Sequence, residues 1–110
     1  GKPMSRAIDL LDEALDLARK EKSALEDGEY DEAMGLAEKR GELTGMAWNL
    51  FEPSIAEHYK KRIMELSNIQ KQLTELATKA RDAVRQKLAS SRQEKRRIRG
   101  YHLAVGQALQ

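Results

Sequence analysis

The 110-residue chain contains no cysteine, one tryptophan, one phenylalanine and two prolines. Without cysteine it can build neither a disulfide framework nor a thiolate metal site. With aromatics at 5% and charged residues at 35%, it lacks the ring-rich strands of a sandwich or barrel, and a helical bundle is expected. No apolar run approaches the roughly 20 residues of a membrane-spanning helix, and the N-terminal stretch lacks the continuous apolar core of a signal peptide. The expected location is therefore the cytoplasm. Histidine is scarce too: His58 and His102 stand far apart, and no glycine-rich loop is present to cradle phosphate. An enzyme is not expected, and neither is a cofactor or a metal.

What is present is helical periodicity, read here as one domain over residues 1–110. Ser5 is a good N-cap, and Gly28 suits the left-handed stop of a first helix over about 5–27. Ile8, Leu11, Leu15, Ala18, Lys22 and Leu25 follow one another at steps of three and four, with Leu10, Ala14 and Leu17 widening the stripe. After the short turn at Gly28, a second helix is expected over about 30–51. Asp31 and Glu32 would sit at its positive end, and its apolar face would include Ala33, Leu36, Leu43, Met46 and Ala47. Gly35, Gly41 and Gly45 weaken it by about 1 kcal/mol each relative to alanine and allow another helix to approach closely; the helix is expected to survive them, with Gly41 the place where it could kink.

Pro53 ends that helix, because proline disfavours helical geometry in the residue before it. From Ser54 to Arg99 there is neither proline nor glycine. Ile55, Tyr59, Ile63, Leu66, Ile69, Leu73, Leu76, Ala80, Val84 and Leu88 keep the three-and-four rhythm, which predicts a third helix over about 54–99. At 1.5 Å per residue it would be about 70 Å long, against about 33 Å for each of the first two. The predicted fold is all-α: an antiparallel three-helix bundle of two short helices and one long one, with a short helical tail over 100–110 after a stop at Gly100. The second half of the long helix outruns the hairpin, and its apolar stripe is left for a partner.

Charge is distributed unevenly along the chain. Residues 1–42 carry 7 basic and 12 acidic side chains, net −5, whereas residues 79–110 carry 9 and 2, net +7. Asp12, Glu13 and Asp16, like Asp31 and Glu32, read as solvated or dipole-complementing carboxylates rather than as acid/base or metal groups, and no Glu-x-x-His pair of the di-iron bundle type occurs. Arg92, Lys95, Arg96, Arg97 and Arg99 form a basic run that suits a protein-docking helix end better than nucleic acid, since the chain as a whole is near neutral and Tyr101 is the only aromatic nearby. Trp48, beside Met46, Leu50 and Phe51, is expected to close the bundle near Pro53. Tyr101, past the expected helix stop and among cations, reads as a recognition residue.

The chain resembles the small flagellar type III export chaperones of the FliT and FlgN type. The resemblance is carried by the turn Glu26-Asp27-Gly28-Glu29-Tyr30-Asp31, by Leu36-Ala37-Glu38-Lys39-Arg40-Gly41-Glu42-Leu43 after it, by the long helix following Pro53, and by the ending Arg97-Ile98-Arg99-Gly100-Tyr101. It implies a non-catalytic chaperone that binds the C-terminal helical segment of a late flagellar subunit, either the filament cap or a hook-filament junction protein. Such a chaperone prevents premature assembly and delivers its client to the export gate. The resemblance also implies docking on the export-gate membrane protein through Tyr101. The stripe Leu73, Leu76, Ala80, Ala83, Val84 and Leu88 is the expected client site, in the helix-in-groove mode. The alternatives are a coiled-coil structural or adaptor protein that forms a homodimer through the third helix, and a small nucleic-acid-binding bundle.

Overall fold

A computed structural model describes the chain from Ser5 to Ala108, with side chains as far as Ala104. Among the described residues every regular element is helical: α1 (Arg6–Glu26), α2 (Tyr30–Asn49), a 3-10 turn (Pro53–Ile55) and α3 (Ala56–Ala108). The chain forms two compact units, one ending at Ala77 and the other beginning at Thr78, and α3 belongs to both.

Local chemistry accounts for the boundaries. At the start of α1 the Ser5 hydroxyl accepts a hydrogen bond from the Ile8 amide at 3.3 Å, satisfying one of the donors that a helix leaves open. At its end Gly28 adopts φ 78°, the only positive φ among the described residues. There the Glu29 amide reaches back to the Ala24 carbonyl at 2.8 Å and the Gly28 amide to Leu25 at 3.2 Å, the paired bonds of a Schellman stop. Glu52 is extended, as the residue before a proline prefers, and Pro53 opens the 3-10 turn that leads into α3. α2 survives its three glycines as one helix, as expected, and runs unbroken through Gly41.

α1 supplies most of the core of the first unit. Ile8, Leu10, Leu11, Ala14, Leu15 and Leu17 are buried with Leu43 and Ala47 of α2 and with Tyr59 and Leu66 of α3. Among the described side chains of α3, Tyr59, Leu66 and Leu73 are buried, one every seven positions, with Ile63 and Ile69 half-buried between them, Ile55 half-buried in the turn before and Leu76 half-buried after. Two ion pairs join segments distant in sequence. Arg40 donates to Glu21 at 2.9 Å, linking α2 to α1, and Arg62 donates to Asp12 at 3.1 Å, linking α3 to α1.

One expectation fails at the far end. α3 does not stop at Gly100 but continues through it to Ala108, so no separate tail begins there. A glycine ends a helix when it turns left-handed and its neighbours bond back, as at Gly28; Gly100 does neither, and within a helix it costs only about 1 kcal/mol relative to alanine. Leu109, assigned to the apolar tail, lies outside the described residues.

Candidate functional site

The second unit is a single stretch of helix whose side chains from Arg81 to Ala104 are all exposed. A helix in a globular protein is normally held by burying one face, and this stretch buries none. Ala83 is exposed, Val84 is 46% and Leu88 52% exposed, and Ala80 is half-buried. The remaining two residues of the expected stripe belong to the first unit. Leu73 is only 2% exposed, already covered by this chain, and Leu76 is half-buried. The part of the stripe open to a partner within the second unit is therefore Ala80, Ala83, Val84 and Leu88.

Tyr101 is exposed, with its ring centroid 5.9 Å from that of His102 in an edge-on arrangement. Ile98 and Leu103 are exposed on either side of it. The phenol hydroxyl is thus presented to solvent from a helical turn rather than from a loose tail.

Within the first unit, Trp48 departs from its expected role. It is 64% exposed, so it does not close the core, yet its ring stacks on Phe51 at 5.7 Å and lies 6.2 Å from Tyr59. Phe51 meets Tyr59 edge-on at 4.9 Å, and Tyr59 is the buried member of the trio. Burial pushes the Tyr59 phenol above its ordinary pKa, because the phenolate would lose its water. Trp48 occupies the last turn of α2, where its indole lies against Phe51 and Tyr59 while most of its surface stays exposed.

The carboxylates singled out in the sequence have structural partners or open positions. Asp12 accepts from Arg62 and Asp16 from Arg19, while Asp31 and Glu32 lie exposed in the first turn of α2. The Arg62 guanidinium also stands 3.5 Å from the His58 ring. Sequence reasoning missed the Glu21–Arg40 pair, because nineteen residues separate the partners and only the three-dimensional packing of α1 on α2 brings them together. No helix among the described residues is long and apolar enough to cross a membrane. No family model, no curated protein and no solved structure matches this chain.

Proposed function

We propose that this chain is a cytoplasmic, non-catalytic export chaperone of the FliT and FlgN type. It binds the C-terminal helical segment of a late flagellar subunit, holds it from early assembly and delivers it to the export gate. The reading rests on the sequence resemblance described above and on one structural observation: Val84 and Leu88 are about half exposed, in a stretch of α3 where every side chain from Arg81 to Ala104 is exposed. An amphipathic client helix laid on Ala80, Ala83, Val84 and Leu88 would bury that surface. Tyr101, exposed near the end of α3, is the proposed contact with the export-gate membrane protein.

The first unit serves as the scaffold in this reading, with α1, α2 and the start of α3 forming an antiparallel bundle. The ion pairs Glu21–Arg40 and Asp12–Arg62 support that arrangement, since they pin α2 and α3 against α1 at different levels.

The test is a binding titration of the full chain with the C-terminal segment of the filament-cap subunit and, separately, of a hook-filament junction protein. Burying a valine contributes about 1.5–3 kcal/mol, and a carboxylate in its place adds a desolvation cost. Ala83→Asp with Val84→Asp should therefore weaken the better client by at least about tenfold. Both positions are exposed, so the fold should survive, as a circular dichroism spectrum would verify. Unchanged affinity would rule out this face as the client site. Tyr101→Ala should weaken capture by the export-gate protein while client binding persists; loss of both would argue against separate roles.

A further inference from the structure

Beside the proposed apolar face, the second unit carries a row of arginines. Arg81, Arg85, Arg92, Arg96 and Arg99 succeed one another at steps of four, seven, four and three. At 3.6 residues per turn this keeps them within an arc of about 60° and spreads them over about 27 Å. All five are exposed. Arg81 lies 3.7 Å from Asp82, and among the described residues the other four have no ion-pair partner. Glu94, the other acid of this unit, falls on the opposite side of the helix. Like charges three or four residues apart oppose helix formation, so the row works against the element that carries it.

The row is not purely basic. Leu88 fills its seven-residue gap, and Leu103 prolongs it one step beyond Arg99; both are exposed. A phosphate backbone would neutralise the arginines and leave both leucines in water. An anionic lipid surface needs a broad apolar face beside the cations, and Lys87, Ser91 and Glu94 interrupt that face. A helix bearing carboxylates and apolar side chains at matching steps would satisfy both kinds of residue. Arginine at all five positions suits it, because the planar guanidinium takes a carboxylate through two parallel bonds.

We propose that this row selects an acidic amphipathic helix, with carboxylates opposite the arginines and apolar side chains over Leu88 and Leu103. The proposal rests on the reading that the second unit receives a partner helix, and adds the chemistry that the partner must carry.

Two synthetic helical peptides of equal composition test it against the full chain by fluorescence anisotropy. One carries glutamates at steps of four and seven flanking its leucines; in the other the glutamates are moved to the far face. The matched peptide should bind about tenfold more tightly, the sum of several exposed charge pairs, and Arg81→Gln, Arg85→Gln, Arg92→Gln, Arg96→Gln and Arg99→Gln together should remove the difference. Equal affinity for the two peptides, binding of neither, or a difference that survives the arginine substitutions would overturn the proposal. So would tighter binding of a single-stranded oligonucleotide or of phosphatidylserine-containing vesicles than of the matched peptide. Ala83→Asp with Val84→Asp separates this from the client reading. Loss of client binding in that variant, with the peptides bound equally by the parent, sinks only the arginine row. Unchanged client binding with the peptide preference intact sinks only the apolar face.

Discussion

An Arg40→Ala substitution leaves the Glu21 carboxylate without its partner between α1 and α2. The Glu21 side chain is 8% exposed and that of Arg40 18%; Nε lies 2.9 Å from Oε2, with a longer second approach of 3.5 Å from Nη2 to Oε1. Breaking a fully buried pair from one side costs about 3–5 kcal/mol, because the surviving charge stays desolvated. Water reaches the arginine end of this pair, so a loss of about 2–3 kcal/mol is expected. At about 4–8 °C per kcal/mol for a domain of this size, that lowers Tm by about 10–20 °C. Urea denaturation read by Trp48 fluorescence reports the change, since Trp48 is the only tryptophan and lies in the first unit. Replacing both partners with leucine should instead stay within about 1 kcal/mol of the parent, because no orphaned charge remains. A loss below about 0.5 kcal/mol for Arg40→Ala, the range of an exposed pair, would refute the reasoning. So would a double variant as unstable as the single one.

Two further outcomes follow from the backbone and the core. A Cβ added at Gly35 or Gly45 meets nothing within 4 Å, so Gly35→Ala with Gly45→Ala should raise stability by about 0.4–1 kcal/mol each, read as a higher urea midpoint; no change would mean that the helix gains nothing there. For Tyr59, burial holds the proton in the folded state beyond the pH at which the unfolded chain releases it. Its contribution to stability is therefore complete below the ordinary value of 10.0 and lost as pH rises through the elevated folded value. Urea midpoints across that alkaline range should fall more steeply for the parent than for Tyr59→Phe, and parallel slopes would contradict the assignment.

Helix boundaries were legible because they are set by local chemistry. Ser5, Gly28 and Pro53 each act on the backbone within a few residues, and α1 and α2 begin and end within two residues of the positions those signals mark. Gly100 shows where the same logic breaks down. A glycine only permits a stop, and neighbours that form good helix carry the chain through it. The side-chain environment was harder to read. Trp48 departs from the general tendency of tryptophan toward burial, and the ring contacts it does make depend on where Phe51 and Tyr59 sit in space. Leu73 belongs to the apolar stripe by spacing, yet it is buried whereas Val84 and Leu88 of the same stripe are exposed, a distinction that periodicity alone does not draw. The arginine row was obscured by sequence proximity: the cluster at 92–99 is conspicuous, whereas Arg81 and Arg85 join it only when the helix expected over 54–99 is followed around its 3.6-residue turn.

α3 enters the second unit with its hydrogen-bond ladder intact. Starting a helix carries a penalty factor of about 10⁻³, whereas adding each further residue is close to neutral. In α3 the start is secured where Tyr59, Leu66 and Leu73 are anchored, and from Arg81 to Ala104 every turn is added to an existing one with no burial to hold it. The second unit therefore behaves like the free end of a zipper. Warming should shorten it gradually from its far end before the first unit melts in a single cooperative step, and any ligand gripping the far turns would close the zipper again.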